Sequence, residues 1–389
     1  MKRRANNEGS IRQRKDGRWE AIYTAGYDAQ GKQICKSVYG KTREAANEKL
    51  QAALQRVRRG EYVEPSSITV AQWLDTWFEV YGRPRWRDST AAGHYSSIEN
   101  TLKPLLGKHK LQKLRHEHVQ AFVNGQAEAG KAPATIRKQL EPLKGALKQA
   151  LLNNLITKDP AQHLAMPYAA PKEIEFLKVD EQRQLLEALP DTTSGRALRF
   201  ILGTGLRASE LCGLRWCDIE HDRFTVRQTA QQVLDLDAAP GESKHKLSIA
   251  GPKTKAGLRT IPLTEAMQCL LEEQRAAQIT ARLKSGSAWQ GKPPGKGEAF
   301  VFSTATGLPI DRHNLGRTLR KSLDKAGLKR RGVHALRHSF ATNCIRAGVD
   351  VRTLAALIGH TQIAFTLQQY VHTDTEIMRA GLDAVASMM

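Results

Sequence analysis

The chain has 389 residues, long for a single core, and its 60 Lys and Arg against 39 Asp and Glu leave a formal net charge of +21, so two or three domains and a polyanionic partner such as double-stranded DNA are expected. No apolar run is long enough to span a bilayer, and Met1-Lys2-Arg3-Arg4 leads into Asn, Glu and Gly instead of an apolar signal core, which argues against a membrane protein and for a cytoplasmic one. Five scattered cysteines (Cys35, Cys212, Cys217, Cys269, Cys344), odd in number and without a CxxC unit, argue against a disulfide framework and structural zinc.

From Gly9 to Tyr39 apolar residues alternate with a period of two, through Ile11, Trp19, Ala21 and Tyr23 and again from Gln33, with Lys15-Asp16-Gly17 and Asp28-Ala29-Gln30-Gly31 as turns. This predicts a small three-stranded antiparallel sheet. Thr42 then caps a helix that lines up Leu50, Ala53, Leu54 and Val57 and stops at Gly60. One helix covers one sheet face, leaving the other, with Arg12, Arg14 and Arg18, either to enter a DNA major groove or to stay solvated. Residues 1–63 form this first module.

Glu64-Pro65-Ser66-Ser67 reads as a linker, after which the period changes to 3.6. Helices are predicted over Val70 to Tyr81, Ser89 to Leu102, Arg115 to Glu128 and Ala134 to Asn153, a helical bundle spanning 68–168. Its cations, Arg137 and Lys138 among them, crowd helix ends and the helix around Lys138, as residues that clamp a phosphate backbone would. A second linker runs from Pro167 to Pro171. The last segment, 174–389, mixes helices (Asp180 to Leu189, Arg196 to Leu202, Ala208 to Leu214) with strands near Arg223 to Gln228, Lys246 to Ala250 and Leu258 to Pro262, and has a loop from Lys284 to Gly297. The fold class is therefore α+β and multidomain: a small sheet plus helix, a helical bundle, and a mostly helical domain with a small antiparallel sheet.

The chemistry concentrates in that last segment. Arg207 follows Gly203-Thr204-Gly205-Leu206, a turn that sets it at the start of the helix Ala208-Ser209-Glu210-Leu211, where the helix N-terminus adds partial positive charge. His334 and Arg337, three apart, share one helix face, with Leu336 and Phe340 on the other; His338 belongs to neither requirement. Asp350 caps a helix from Val351 to Ile358 that Gly359 terminates, so His360 emerges just beyond its end, and Tyr370 follows ten residues later. Lys253 lies in Gly251-Pro252-Lys253-Thr254-Lys255-Ala256-Gly257, a turn between two strands from which either lysine can protonate a leaving oxygen. A phenol near several cations, with no thiol or carboxylate beside it, suits attack on a phosphodiester, because the extra charge on the phosphoryl oxygens needs arginines to hold it. Taken singly, each imidazole also reads as a structural one and Tyr370 as a half-buried aromatic; the conjunction is what points to a site.

Three other motifs fail. Gly40-Lys41-Thr42 has Cys35 where a phosphate loop needs its first Gly, His334-x-x-x-His338 has Ala335 where zinc proteolysis needs Glu, and Gly203-x-Gly205 lacks a third Gly. ATP, a catalytic metal and nicotinamide are not expected, and no cofactor is.

The sequence resembles the tyrosine recombinase, or phage integrase, family. The resemblance runs through Gly205-Leu206-Arg207-Ala208-Ser209-Glu210-Leu211 with Leu214 and Trp216 to Asp218, Pro252-Lys253-Thr254 with Arg259-Thr260-Ile261-Pro262, His334-x-x-Arg337-His338-Ser339-Phe340-Ala341-Thr342, and Leu357-Ile358-Gly359-His360 followed by Tyr370. It implies that Tyr370 is the nucleophile of a 3′-phosphotyrosyl intermediate, that Arg207 and Arg337 grip the scissile phosphate, that Lys253 is the general acid, that His334 and His360 assist, and that Glu210 supports the arginines. The helical bundle is similar to a core-site-binding domain and the N-terminal sheet to an arm-site-binding domain of integrases from temperate phages and integrative conjugative elements. The partners implied are core and arm DNA sites, a homotetramer on DNA, accessory DNA-bending proteins and an excisionase, at the nucleoid of a bacterial host. The tail from Thr373 to Met389, with Ile377, Met378, Leu382, Val385 and Met388, is expected to dock on a neighbouring protomer or on its own domain. A catalytically silent DNA-binding regulator and a type IB topoisomerase activity are the alternatives on the same scaffold. The intact set of catalytic residues disfavours the first, and the arm-like module disfavours the second.

Overall fold

A computed structural model describes residues 9–27, 31–58, 66–168, 175–252, 254–293 and 297–360, with 383 and 386. The chain divides into two compact units, Met1–Ala170 and Pro171–Met389.

In the first unit, β1 (Ser10–Gln13), β2 (Trp19–Tyr27) and β3 (Gln33–Gly40) make the antiparallel sheet that the period-two pattern predicts, in the order β1-β2-β3. Alternation sends Ala21, Tyr23 and Ala25 to one face, where they bury against Ala46, Leu50 and Leu54 of α1 (Arg43–Arg58). Thr42 caps this helix, its Oγ1 accepting the Ala45 amide at 3.1 Å. The turn residues Asp28, Ala29 and Gln30, the stop at Gly60 and the linker residues Glu64 and Pro65 lie outside the described residues. The uncovered face is less uniformly basic than expected. Glu20 is the cross-strand partner of Arg12, so the same alternation places its carboxylate on that face. It takes the Arg12 guanidinium at 2.8 Å and the Tyr39 hydroxyl at 3.1 Å.

The helical module of the same unit begins at α2 (Val70–Thr76), which Thr69 and Gln72 start with a reciprocal capping box. The helix does not end there; it runs on through a π-helical turn, Trp77–Gly82, wound wider by one residue per hydrogen bond. The same happens after α3 (Asp88–Ser97), where a second π turn, Ile98–Leu102, leads into α4 (Lys103–Leu106). α5 (His116–Glu128) and α6 (Pro133–Leu152) complete the module, each within a residue of its predicted bounds. Tryptophans hold it together: the Trp73 indole donates to the Ala146 carbonyl at 2.8 Å, and a Cβ on Gly145 would stand 2.5 Å from the Trp77 ring. Arg137 and Lys138 are exposed on α6.

The second unit is built around α8 (Thr193–Thr204), which follows α7 (Val179–Ala188) and precedes α9 (Ala208–Gly213). α8 is apolar on most sides, and its Phe200 packs at ring distances of 5.4 and 5.6 Å from Phe224 and Phe302 at the centre of the core. Next come β4 (Arg223–Val226), β5 (Thr229–Leu234), β6 (His245–Ala250) and β7 (Arg259–Pro262), then α10 (Glu265–Ser285), α11 (Arg312–Lys325), α12 (His334–Arg346) and α13 (Val351–Ile358). The predicted strand Arg223 to Gln228 is β4, ending at Val226, and β5 after it is a strand the sequence reading did not predict. β4 pairs with β7 and β5 with β6, so the stretch after Ala250 crosses between two separate sheets and is not the turn of a hairpin. α10 and α11 escape the sequence reading. The buried stripe of α10 is Leu270, Leu271, Gln274 and Gln278, half of it polar, because Gln278 receives the Trp216 indole at 2.8 Å and Gln274 donates to the Val301 carbonyl at 3.0 Å. α11 carries Leu315, Leu319 and Leu323 at regular spacing, a signal present in the sequence.

Candidate active site

Two left-handed glycines frame the site. Gly205 ends α8 and Gly359 ends α13, both at φ 67°. A side chain at 205 would also collide with Phe340, 2.4 Å from the Cβ position. The turn that delivers Arg207 is thus Gly205-Leu206 alone, since Gly203 and Thr204 still belong to α8. Phe340 lies against that turn and not on the far side of α12 from Arg337, because Arg337 grips the same turn.

Arg337 is 1% exposed, in the first turn of α12. Its Nη1 donates to the Gly205 carbonyl at 2.8 Å and its Nη2 to that of Ile358, tying the α8–α9 turn to the end of α13. Arg207 caps α9: its amide donates to Glu210 Oε2 at 3.0 Å, its Nη1 to Oε1 at 2.7 Å, and its Nη2 to the Gly359 carbonyl at 3.5 Å. Asp350 caps α13 through the amides of Arg352 and Thr353, and the His360 amide closes the far end on the Ala355 carbonyl at 2.9 Å. Ser339 fixes α12 to the start of the unit by accepting the Leu177 amide at 2.8 Å.

These bonds bring Arg207, Glu210, His334, Arg337 and His360 together, five of the residues singled out from the sequence. Electrostatics reports the same proximity. Burial lowers the pKa of His360 to about 4, and the positive charges of Arg337, Arg207, His334 and Arg259 add to the effect. His334 is lowered by burial and then by Arg337 and Arg207, with Glu210 opposing. His338, edge-on to His334 at 4.6 Å, is lowered to about 4 by burial and then by His334 and Arg337. All three imidazoles are neutral near pH 7. Glu210 is buried, which raises its pKa, but Arg259 and then Arg207 outweigh burial and bring it to about 2.

Arg259 is the site residue that sequence reasoning missed. Its Nη1 and Nη2 donate to Glu210 Oε1 and Oε2 at 3.2 and 2.8 Å, its Nε to the Leu357 carbonyl at 2.7 Å and its Nη1 also to Gly257 at 3.2 Å. A signal was available: Arg259 falls in phase with Ile261 on the buried face of β7, where a charge needs a partner. Lys253 and Tyr370 lie outside the described residues, as does the side chain of Lys255. Of the DNA-binding candidates, Arg12 stands on the sheet face while Arg14 and Arg18 lie at the β1–β2 turn, the Arg14 guanidinium 5.6 Å from the Tyr39 ring centre.

A cluster of guanidiniums around one carboxylate, with neutral imidazoles beside it, is equipped to hold a phosphate and move protons around it. Residues 175–376 match the family model for the phage integrase family, and residues 69–126 that for the phage integrase N-terminal SAM-like domain. The chain belongs to the phage integrase family. It is a tyrosine recombinase, an enzyme that cleaves and rejoins DNA. A XerC-like tyrosine recombinase of Caldanaerobacter subterraneus subsp. tengcongensis is 32% identical over 91% of this chain and 92% of its own length. An integrase of Streptomyces ambofaciens is 26% identical over 98% and 96%. Among solved structures, the integrase of transposon Tn1549 in complex with a circular intermediate DNA matches at TM-score 0.64 and 22% identity, covering 82% of this chain and 100% of that one. A lambda integrase tetramer on a Holliday junction matches at TM-score 0.59 and 18% identity, covering 94% and 96%. The fold of this recombinase is thus that of both integrases. No helix among its described residues is long and apolar enough to cross a membrane.

Proposed function

We propose that this recombinase integrates and excises a mobile element, with Tyr370 as the nucleophile. The phenol oxygen bonds to the scissile phosphorus, the P–O5′ bond breaks, and a 3′-phosphotyrosyl ester and a 5′-hydroxyl result. Rejoining reverses the step with another strand's 5′-hydroxyl, which conserves the bond energy and removes any need for ATP. Arg207 and Arg337 hold the non-bridging oxygens. Neutral His334 is free to take the phenolic proton, and His360 to donate a hydrogen bond to the phosphate. Lys253 protonates the leaving 5′-oxygen, with Lys255 the alternative. Glu210 fixes Arg207.

The observation that carries this reading is Arg337 bonded at once to Gly205 and Ile358, which supports a single phosphate seat for Arg207, Arg337 and His360. In an assay on a nicked suicide duplex bearing the element's core site, a covalent adduct should form and Tyr370→Phe should abolish it; an adduct that survives this change defeats the assignment. A 5′-phosphorothiolate, whose leaving group needs no proton, should rescue Lys253→Ala, whereas rescue of Lys255→Ala alone reverses the choice of acid.

The same reading divides the chain by task. Residues 1–63 bind arm sites, through Arg12, Arg14 and Arg18 among others; residues 68–168 bind the core site, Arg137 and Lys138 contributing; residues 174–389 catalyse. Relatives support the assembly: lambda integrase is seen as a dimer on a core site and as a tetramer on a Holliday junction. On this reading the chain works as a tetramer on DNA, served by DNA-bending proteins and an excisionase, with the tail after Thr373 docking on a neighbouring protomer or on its own domain. Removing the residues before Glu64 should spare core-site cleavage and impair arm-site binding.

A further inference from the structure

Glu210 does two things that conflict. It anchors Arg207 through both amide and guanidinium, yet a buried carboxylate against one guanidinium makes a neutral pair whose field fades over a short distance. A phosphate ligand has to keep its charge. The second arginine resolves the conflict. Arg259 binds both oxygens of Glu210 from a side chain only 6% exposed, and its remaining observed bonds go to the backbone carbonyls of Leu357 and Gly257. Arg207 keeps 37% of its side chain exposed. The trio therefore carries one net positive charge, and its accessible member is Arg207.

We infer that Arg259 is a positioning residue that neutralises Glu210, so that Arg207 can be fixed by a carboxylate and still present a full positive charge to the scissile phosphate. This inference rests on the proposed role of Arg207. The packing agrees: a Cβ on Gly359 would stand 2.9 Å from Arg259 Nη1, so the chain turns back over the guanidinium just before His360. Arg259 thus also spaces the α13 terminus from α9. Glu210, whose pKa is brought to about 2, stays charged through the whole neutral range, so the balance is permanent and not switched by pH.

The test compares cleavage of two nicked core-site duplexes, one with a normal scissile phosphate and one with a methylphosphonate, which lacks the negative charge. Arg259→Gln should lower phosphate cleavage about 100-fold, the loss typical of one missing oxyanion partner, and methylphosphonate cleavage far less. Arg259→Lys should keep the phosphate-to-methylphosphonate ratio near that of the parent. Adding Glu210→Gln to Arg259→Gln returns the trio to one net positive charge and should recover most of the ratio. A merely structural Arg259 would depress both substrates alike, and the double variant would be worse than the single; either result overturns the inference. Arg207→Ala separates the two claims. If it leaves the ratio untouched, the phosphate role of Arg207 fails; if it collapses the ratio while Arg259→Gln does not, only the balancing role fails. Should Arg259→Gln not fold, as judged by thermal melting, Glu210→Gln alone raises the trio's charge and must move the ratio towards phosphate; an unchanged or lower ratio is then the overturning result.

Discussion

Two arginine–glutamate pairs in this chain have the same closest approach, 2.8 Å, and opposite settings. Arg12 meets Glu20 on an open sheet face with 68% of its side chain exposed, whereas Arg259 meets Glu210 with both side chains almost wholly enclosed. Distance alone says nothing about consequence. Around Arg12 the guanidinium is open to water although Glu20 is only 8% exposed, and Glu20 keeps the Tyr39 hydroxyl when Arg12 turns to a phosphate. Around Arg259 both side chains are enclosed, and the carboxylate also fixes the position of Arg207.

The comparison breaks most visibly at Glu210. Glu210→Ala leaves the buried Arg259 without its carboxylate and should cost about 3–5 kcal/mol of stability, read as a lowered denaturation midpoint, together with loss of cleavage. An unshifted midpoint would mean that solvent reaches this pair as it reaches Arg12. Next in size, Arg337→Ala should reduce cleavage by about 100- to 1000-fold, measured as adduct formed per unit time, while binding to the core-site duplex persists. A pH series sharpens the contrast further. Unfolded imidazoles take a proton near pH 6.5, but His338 and His360 resist until about pH 4, so in that window the unfolded chain holds more protons and acidification favours it. The melting temperature should therefore fall between pH 6.5 and 4, and His338→Gln should flatten the slope. The smallest effect belongs to the sheet: Arg12→Ala leaves Glu20 the Tyr39 hydroxyl, so it should lower the melting temperature far less than Glu210→Ala and reduce the salt slope of arm-site binding by about one.

Legibility in the sequence followed the same divide between local and distant cause. The sheet, α1 and the helical module were readable because alternation and the 3.6 period are local, and Thr42, Thr69 and Asp350 cap where such residues cap. His334 and Arg337 were readable from spacing and Gly359 from the need to stop a helix, whereas the turn holding Gly205 was begun two residues early because α8 runs on to Thr204. Arg259 was readable only as a charge on a buried strand face: its partner is a carboxylate 49 positions away that the folded core alone brings opposite. α10 was hidden because two glutamines occupy its buried stripe, each satisfied by a partner distant in the chain. The π turns at Trp77–Gly82 and Ile98–Leu102 leave the apolar spacing nearly unchanged, so only the backbone reveals them.

The separation of β5–β6 from β4–β7 has a consequence for tolerance to change. The loop between Leu234 and His245 belongs to a ladder that shares no strand with the one carrying Arg259. Extra length there need not disturb the guanidinium's register against Glu210. This tip is accordingly a place where lineages can diverge, or a fluorescent label be inserted, with the chemistry left intact.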